Sequence, residues 1–401
     1  MDTSPQATAS ASPQADPSAL EVGFVAGESS GDQLGAALIE ALRARVPGLR
    51  GYGIGGPLMQ AAGSEIWAPA HELAVMGLTE PLKRLPRLIR LRRRTRARLL
   101  AKRPDVFVGI DAPAFNLGLA EQVRRAGIPT VQYVSPQVWA WRPGRVRRIA
   151  RACDLVLCLL PFEVEFYARH GVRALFVGHP LADEVPLAAD RLGARRALAL
   201  DPAATVIALL PGSRTGEVER LGRAFLGAAR WVQAHRPAVQ FVAPMASAGV
   251  RRIFEWQLEA LGGCDVRVLD GDARRVLAAA DAVLVASGTA TLEALLAKCP
   301  MVAAYRFGTL TALAIERLRL SKVPYFSLPN LLAGRALVPE FYQDAVTPAA
   351  LGAALLRELD DDGRKAALER EFLCVHQSLR QGGADRAAAA ILELAGRSRA
   401  P

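Results

Sequence analysis

Short apolar runs alternate with longer amphipathic segments along the first half of the chain. Residues 22–26 form such a run, which leads into a turn of glycine and serine at 27–32 and then into helical spacing of apolar residues over 34–46. Similar runs recur at 105–110, 129–134 and 154–160. Continuous apolar runs are typical of buried parallel strands, and the amphipathic segments between them predict helices. The pattern therefore predicts a parallel α/β sheet.

The same pattern starts again after residue 185. A strand is predicted at 206–210 and a helix at about 217–235. Further short strands, with helices between them, are predicted at 240–243, 265–269, 282–286 and 301–304. We therefore expect an α/β fold of two Rossmann-like domains with parallel sheets that face a cleft. The predicted parts are a disordered tail at 1–18, an N-terminal domain at 19–185, a C-terminal domain at 186–383, and a C-terminal helix at 384–401 whose packing against the N-terminal domain is left open.

The composition of the 401 residues narrows the class of protein. It is 51% hydrophobic and 22% charged, which is typical of a globular chain and excludes a fibrous or disordered one. Mean hydropathy is +0.17, but no apolar stretch is long enough for a transmembrane helix. The first 18 residues have neither a basic start nor an apolar run, so we predict no signal peptide and expect a cytoplasmic protein.

The cysteine and histidine patterns predict no metal site and no disulfide. The five cysteines are scattered, and none of them forms a C-x-x-C pair. No two of the five histidines stand three or four residues apart, as ligands on one helix face would. His179 follows an apolar run beside the predicted hinge at 180–205, where contact with a ligand is an option.

Positive charge is concentrated in one segment. The net charge is +11, and 83–103 holds eleven lysine or arginine residues in twenty-one, with no aspartate or glutamate. Apolar residues at helical spacing beside this charge favour a helix in an anionic membrane interface. Nucleic-acid binding is less favoured, because the segment has no aromatic side chain to stack on a base; a solvated helix face is the third option. The predicted docking residues are Met76, Leu82, Arg92, Arg93 and Arg94.

Three loops at predicted strand ends carry the candidate ligand contacts. The loop at 27–32 lacks both the Walker A and the G-x-G-x-x-G pattern, so a capped turn and close approach of a ligand explain it equally well. The loop at 210–214 exposes backbone N–H groups and adds Arg214, which suits a diphosphate. The loop at 287–293 opens a helix and adds Glu293, whose carboxylate suits ribose hydroxyls. The alternatives are a solvated arginine and a glutamate favoured by the helix dipole. The other candidates in the last two loops are Gly212, Ser213, Ser287, Gly288 and Thr289.

Asp111 is the candidate for acid–base chemistry. It follows the apolar run at 105–110, and a carboxylate at a strand end can remove a proton from an attacking hydroxyl. A turn aspartate that bonds local amides ahead of Pro113 explains the residue equally well. Trp139 and Trp141, beside another strand end, fit either an apolar contact or the core.

Eight stretches of the chain, taken together, resemble the lipid-A-disaccharide synthase family of GT-B glycosyltransferases. They follow the order expected for the family and cover nearly the whole chain outside the N-terminal tail. The stretches are AGESSGDQLGA (26–36), ELAVMGLTE (72–80), PDVFVGIDAPAFN (104–116), YVSPQVWAWR (133–142), LPFE (160–163), LLPGSR (209–214), ASGTATLEALLAKCPMV (286–302) and SLPNLLAGR (327–335). Family members often carry an aspartate where this chain has Ala114, which leaves Asp111 as the candidate base.

This resemblance implies a reaction and a set of site residues. UDP-2,3-diacylglucosamine donates its sugar to the 6-hydroxyl of 2,3-diacylglucosamine 1-phosphate, with inversion, to give a β-1,6-linked disaccharide and UDP, and no cofactor or metal is implied. Asp111 and Arg214 match residues that are essential in the family, and UDP is expected on the C-terminal domain. The residues Glu28, Ser29, Ser30 and Asn330 match others that line the cleft.

The implied substrates are membrane lipids, so the resemblance also implies a location. We expect a peripheral protein on the cytoplasmic face of the inner membrane of a Gram-negative bacterium, with no nucleic-acid partner and with a homo-oligomer as an open option. Two other interpretations remain. A UDP-sugar 2-epimerase shares the fold and a UDP site but needs no basic apolar segment. A noncatalytic membrane-binding or nucleic-acid-binding module explains the charge but not the strand-end loops.

Overall fold

The computed structural model of the chain describes residues 20–73, 81–141, 143–308 and 324–398. These residues form two sheets of seven and six strands with helices between the strands, which confirms the predicted α/β class. The chain divides into two units. The first comprises the described residues within Met1–Pro136, Arg147–Leu157 and Ala384–Pro401, and the second comprises Gln137–Val146 and Cys158–Gly383 without the undescribed positions.

The first sheet has parallel pairing around its two central strands. Its strands are β1 (Glu21–Ala26), β2 (Arg50–Gly55), β3 (Glu65–Pro69), β4 (Val106–Ile110), β5 (Thr130–Tyr133), β6 (Leu155–Cys158) and β7 (Ala174–Phe176). Their order is β3-β2-β1-β4-β5-β6-β7. Because β1 pairs with both β2 and β4, the direction of the strand order reverses beside it. Ligands of such sheets bind at the carboxyl ends of the strands near this point.

The helices that accompany this sheet often begin with proline. They are α1 (Glu28–Arg45), α2 (Pro57–Ala61), α3 (Pro81–Lys102), α4 (Pro113–Arg125), α5 (Val138–Trp141), α6 (Val146–Ala152) and α7 (Pro161–Ala168). Proline suits the first helical position because its missing N–H would have no helical partner there. The N-cap residue directly before the proline is Gly56 for α2, Ala112 for α4 and Leu160 for α7.

The second sheet repeats this design. Its strands are β8 (Val206–Leu210), β9 (Gln240–Met245), β10 (Arg267–Asp270), β11 (Ala282–Ala286), β12 (Met301–Tyr305) and β13 (Glu340–Tyr342). Their order is β10-β9-β8-β11-β12-β13, so β8 and β11 are the central strands. The parallel register joins Val283 of β11 to Ala208 of β8 and to Met301 of β12.

Side-chain caps start several helices of the second half. The helices are α8 (Pro180–Glu184), α9 (Arg191–Ala197), α10 (Thr215–His235), α11 (Ala248–Leu261), α12 (Ala273–Ala279), α13 (Thr289–Leu296), α14 (Leu328–Ala333), α15 (Pro348–Asp360), α16 (Asp362–Leu379) and α17 (Gly383–Ser398). Asp190, Ser247, Thr347 and Asp361 each accept a backbone N–H from the first turn that follows them. No helix among the described residues is long and apolar enough to cross a membrane.

Alternating side chains of the second sheet fill two separate cores. Ile207 and Leu209 of β8 point into one core, and Val206 and Ala208 point into the other. Successive strand residues face opposite sides of a sheet, so a strand between two helix layers must be apolar at every position. This requirement is the physical reason that the continuous apolar runs predicted strands correctly.

Four strands were not predicted from the sequence. β2 reads RGYGIG, and its three glycines give it the composition of a loop. β3 reads EIWAP, and it is only partly buried and ends in a proline, a residue that is rare within strands. β7 and β13 have three residues each and are defined by the neighbours with which they pair.

Candidate active site

A cavity of about 1280 Å³ opens at the carboxyl ends of the second sheet. Leu210 and Ala286, the last residues of the central strands, lie in its wall, so it occupies the place where parallel sheets bind ligands. Seven residues predicted from the sequence line it, namely Gly212, Ser213, Arg214, Ser287, Gly288, Thr289 and Glu293. The structure therefore brings the two predicted loops of this unit into one cavity.

The loop between β8 and α10 is shaped by Glu217. Its Oε2 accepts the backbone N–H of Ser213 at 3.0 Å and that of Arg214 at 3.3 Å. Gly212 has φ 131°, and a β-carbon on it would lie 2.5 Å from Glu217 Cβ, so glycine is required. The side chain of Arg214 is 78% exposed, and its Nη1 lies 3.8 Å from Glu217 Oε1. The guanidinium is therefore available to an anionic group in the cavity.

The start of α13 presents backbone donors to the same cavity. Its N-cap is Gly288, with φ 143°, and no side chain caps the first turn. Ser287 Oγ donates to Phe326 O at 2.8 Å, so this hydroxyl holds the loop in place. Amide N–H groups at a helix start that lack a cap bind phosphate oxygens well. The geometry at Gly288 and Thr289 suits a phosphate.

Glu293 lies further along α13 and contributes a carboxylate to the cavity. Its Oε1 accepts a long hydrogen bond of 3.5 Å from Arg274 Nε. Burial raises the pKa of Glu293, and the positive charge of Arg274 opposes that rise. A carboxylate with one weak partner retains lone pairs for the hydroxyl groups of a ligand.

Aromatic side chains form an apolar part of the cavity that sequence analysis did not predict. Tyr305 and Phe307 pack edge to face, with ring centroids 4.7 Å apart. Phe307 packs in the same way on Tyr342, and the ring of Phe326 is tilted against that of Tyr342 with centroids 6.2 Å apart. All four residues line the cavity. They come from separate parts of the chain, so no local pattern signals them.

Trp139 also lines the cavity, whereas His179 does not. Trp139 Nε1 donates to Glu163 Oε1 at 3.0 Å, and its ring packs edge to face on Phe162 at 4.9 Å. His179 is half-buried, and its Nδ1 accepts the N–H of Leu181 at 3.2 Å as the cap of α8. Burial lowers the pKa of His179 to about 4, so the ring is neutral at pH 7. The ligand contact considered for His179 has no counterpart in the cavity wall.

Asn330 supports the cavity from beneath. Its side chain is 1% exposed, and it is absent from the cavity wall. Its Oδ1 accepts from Leu337 N and Val338 N at 2.7 and 2.8 Å, and its Nδ2 donates to Val338 O and to Glu340 Oε1. Glu340, which does line the cavity, also accepts from the backbone N–H groups of Phe326 and Ser327. Asn330 thus positions a wall residue, and sequence analysis missed Glu340.

Replacing Asn330 with alanine tests this supporting role. We expect the free energy of unfolding to fall by about 3 kcal/mol, because buried backbone groups at Leu337 and Val338 lose their partners. Urea denaturation measures the loss, and calorimetry with UDP measures the effect on binding. Unchanged stability together with lost UDP binding would contradict a supporting role and make Asn330 a direct ligand contact.

The carboxyl ends of β1, β4 and β5 carry strained backbone. Non-glycine residues there adopt the left-handed conformation, with φ 58° at Glu28, 51° at Asp111, 41° at Ala112 and 74° at Val134. Each such residue costs on the order of 1 kcal/mol or more and persists only where its surroundings enforce it. Strain of this kind clusters at functional sites, so it favours a ligand-binding role for Asp111 over that of an ordinary turn residue.

The backbone of Asp111 is held from below by two buried amides. Its carbonyl oxygen accepts from Asn116 Nδ2 at 2.8 Å and from Gln132 Nε2 at 3.0 Å. Burial raises the pKa of the Asp111 carboxyl, a hydrogen bond from Ala112 N–H opposes that rise, and the charge of Glu28 adds to it. A fixed carboxylate with a raised pKa has the properties of a general base.

The loop at 27–32 contains both exposed candidates and a structural residue. Glu28, Ser29 and Ser30 are exposed in the first turn of α1, and Gly27 provides no side-chain cap. Asp32 is buried, and its carboxylate accepts three backbone N–H groups at the start of α2. These belong to Gly56, Leu58 and Met59. Asp32 therefore joins α1 to α2. Glu28, Ser29 and Ser30 remain the ligand candidates of this loop.

The basic helix α3 presents its charge and its apolar residues to different surroundings. Arg93 and Arg94 are exposed, whereas Arg92 is half-buried. Leu99 is fully buried, and Leu85 is 49% exposed. The apolar stripe therefore packs into the first unit in the later part of the helix and is not free for a membrane there. Of the other predicted docking residues, Met76 and the side chain of Leu82 lie outside the described residues.

Comparisons with known proteins agree on a single family. The profile of the family described as lipid-A-disaccharide synthetase matches residues 22–393. Lipid-A-disaccharide synthase of Azotobacter vinelandii (strain DJ / ATCC BAA-1303) is 54% identical over 382 residues, which are 94% of this chain and 99% of that protein. The enzyme of Pseudomonas aeruginosa (strain UCBPP-PA14) is 52% identical over 375 residues, with coverage of 94% and 98%.

Solved structures extend the similarity to the fold. A UDP-GlcNAc 2-epimerase from Neisseria meningitidis bound to UDP-GlcNAc aligns with a TM-score of 0.60 and 10% identity, covering 94% of this chain and 100% of that one. Anabaena Alr3699/HepE in complex with UDP and glucose aligns with a TM-score of 0.56 and 14% identity, covering 93% and 99%. At these identities the likeness concerns the fold alone.

Proposed function

The chain belongs to the lipid-A-disaccharide synthase family, and we propose that Asp111 is the general base and Arg214 the principal diphosphate ligand of its reaction. The protein is thus a glycosyltransferase of lipid A biosynthesis. The epimerase alternative rests on fold similarity at 10% identity. A noncatalytic module would leave the cavity and its loops without a use.

The reaction joins two acylated sugars. The 6-hydroxyl of 2,3-diacylglucosamine 1-phosphate attacks the anomeric carbon of UDP-2,3-diacylglucosamine. The new carbon–oxygen bond forms as the bond to UDP breaks, so a single displacement inverts the anomeric centre. The attacking hydroxyl must lose its proton, and UDP must leave with an added negative charge. The protein therefore needs a base for the acceptor and positive groups for the leaving diphosphate.

We assign the donor to the cavity of the second unit. Arg214 can pair with the diphosphate through its guanidinium fork, and the uncapped N–H groups at Gly288 and Thr289 can bind the same group. Glu293 is available for the ribose hydroxyls. A diacylated sugar nucleotide also needs apolar surface beside its diphosphate, and the wall of Tyr305, Phe307, Phe326 and Tyr342 supplies it in this cavity.

We assign the base to Asp111 on the first unit. Asn116 and Gln132 hold its backbone carbonyl, which limits where the carboxylate can lie while it takes the proton of the acceptor hydroxyl. Its raised pKa makes it a stronger proton acceptor than an exposed aspartate. Glu28, Ser29 and Ser30, at the neighbouring strand end, are proposed acceptor contacts.

One observation carries this assignment: an exposed arginine and an uncapped helix start lie in one cavity at the carboxyl ends of the central strands. The test measures two quantities on the same variants. Thin-layer chromatography follows the conversion of radiolabelled acceptor lipid to disaccharide, and calorimetry follows UDP binding. A base variant should lose turnover alone, whereas a diphosphate-ligand variant should lose both.

We also propose that the first unit docks on the anionic membrane that contains both substrates. The exposed arginines of α3 support this proposal, because each basic residue near an anionic surface contributes about 1 kcal/mol of attraction. Leu85 adds an exposed apolar contact near the start of the helix. The apolar residues in the later part of α3 pack into the first unit. Attraction to the membrane there therefore comes from charge and not from insertion of apolar side chains.

Reversing two exposed charges tests the docking proposal. The variant Arg93→Glu/Arg94→Glu should weaken sedimentation with phosphatidylglycerol vesicles by at least about tenfold, since two attractive charges become repulsive. The matched control is Arg230→Glu/Arg252→Glu, which makes the same charge change at exposed positions of the second unit. Equal losses in both variants would show an effect of net charge alone, and no loss in the α3 variant would contradict docking through this helix.

A further inference from the structure

Two arginine side chains from different helices meet over Gly118 in α4. A β-carbon placed on Gly118 would lie 2.8 Å from Arg92 Nη1 and 3.1 Å from Arg148 Nη2. Both guanidinium groups therefore approach one point on the helix, Arg92 from α3 and Arg148 from α6. Glycine allows this approach because it has no side chain to occupy the space.

Other arginines nearby donate to acceptor side chains, but Arg92 and Arg148 do not use those acceptors. Arg96 Nη1 donates to Gln122 Oε1 at 2.8 Å. Glu121 Oε1 accepts hydrogen bonds from Arg125 Nη2 and Arg151 Nε. Asp154 Oδ1 accepts one from Arg124 Nε. In the part of the chain that the structure describes, neither Arg92 nor Arg148 forms an ion pair with a carboxylate.

Two converging guanidinium groups without a counterion repel each other. The repulsion is stronger here than in open water, because Arg92 is half-buried. An anion between them would reverse the sign of the interaction. A phosphate suits the space better than a carboxylate, since its additional oxygens can pair with both planar forks at once.

We propose that Arg92 and Arg148 form a binding site for a phosphate group on the first unit. The phosphate belongs either to a free phosphate compound or to a lipid headgroup. The site is separate from the cavity of the second unit and has no part in the mechanism assigned to Asp111 and Arg214. It also distinguishes Arg92 from Arg93 and Arg94, which point to solvent on the same helix.

The first test compares two double variants that remove equal charge. Arg92→Gln/Arg148→Gln should bind inorganic phosphate at least about tenfold more weakly than the wild type, because it loses charge-assisted hydrogen bonds. Arg93→Gln/Arg94→Gln should bind it as the wild type does, since these exposed residues do not converge. Isothermal titration calorimetry measures both at constant ionic strength, with saturating UDP to occupy the cavity of the second unit and chloride as the reference anion.

A second variant tests the geometry without changing any charge. Gly118→Ala places a methyl group where the two guanidinium groups meet, so at least one of them must move and phosphate binding should weaken. Alanine favours a helix more than glycine does, so α4 should stay folded. Circular dichroism verifies the fold, and full phosphate binding by this variant would overturn the proposal.

Vesicle sedimentation identifies the source of the phosphate. Phosphatidylcholine vesicles that contain phosphatidic acid replace inorganic phosphate for the wild type and Arg92→Gln/Arg148→Gln, and vesicles of equal charge made with phosphatidylglycerol are the reference. Binding of inorganic phosphate supports a site for free phosphate, and selective binding only to phosphatidic acid supports a headgroup site. The proposal is overturned if the wild type prefers neither ligand to its reference, or if Arg93→Gln/Arg94→Gln loses as much binding of inorganic phosphate as Arg92→Gln/Arg148→Gln. The proposed function is tested separately, by the turnover of the Asp111 and Arg214 variants, so its failure is distinguishable from failure of the phosphate site.

Discussion

Turnover of the acceptor lipid is expected to fall by about 10³-fold when Asp111 is replaced with asparagine, while UDP binding stays unchanged. Asparagine has the same shape as aspartate but cannot take a proton from the attacking hydroxyl. The backbone bonds from Asn116 and Gln132 do not depend on the side chain, so the loop should keep its form. The thin-layer assay measures turnover, and calorimetry measures UDP affinity.

A matched control separates the chemistry from general damage. Asp385→Asn removes an exposed carboxylate of the same unit that pairs with Arg45 at 2.6 Å, and it should leave turnover close to that of the wild type. A nearly normal rate in Asp111→Asn would exclude Asp111 as the base. Loss of UDP binding in Asp111→Asn would indicate that the substitution damages the structure.

The pH profile supplies a second test of Asp111. The base acts only when it is ionised, so kcat/KM should fall as the pH drops through the pKa of this carboxyl. Burial raises that pKa, and the acidic limb should therefore lie above the range of an exposed aspartate. If the acidic limb of wild-type kcat/KM persists at the same pH in the residual activity of Asp111→Asn, another group causes it.

Replacing Arg214 with alanine is expected to lower kcat/KM by about 10²-fold to 10³-fold and to weaken UDP binding in parallel. The guanidinium is proposed to bind the diphosphate both before and during bond cleavage, so both quantities should change. Arg214→Lys should recover only part of each, because an ammonium group is a point charge and cannot form two parallel hydrogen bonds. The thin-layer assay and calorimetry with UDP measure the two effects.

Arg230 provides the control for this prediction. It lies on α10, the helix that follows the loop carrying Arg214, and its Nη1 donates to Leu261 O at 3.3 Å, away from the cavity wall. Arg230→Ala should bind UDP as the wild type does. Normal UDP affinity in Arg214→Ala would contradict the proposed diphosphate contact, whatever happens to turnover.

The apolar pattern was sufficient to predict the sheet cores. β4, β8 and β11 are apolar along their whole length, and β1 is apolar after Glu21, because helices cover both faces of the sheets. The same pattern failed for β2, where glycines replace large side chains. It also failed for β13, where three residues become a strand only through pairing with β12.

Part of the candidate site followed from topology. Parallel strands place their carboxyl ends at one edge of a sheet, so the loops at 210–214 and 287–293 were predictable neighbours. The structure gathers all seven candidate residues of these two loops in one cavity. The aromatic wall was not predictable, because its members meet only after β12 and β13 pair and the segment around Phe326 folds against them.

The sequence by itself determined the fold class, the family and the residue types at the strand-end loops, since these depend on local pattern and on motifs. Tertiary structure decided how individual polar side chains are used, because their partners are distant in the chain. Asp32 caps a helix 24 residues away, Asn330 holds Glu340, and Arg92 turns inward to meet Arg148. Hydrogen bonds and charges act over a few ångströms of space, and only the folded chain sets those distances.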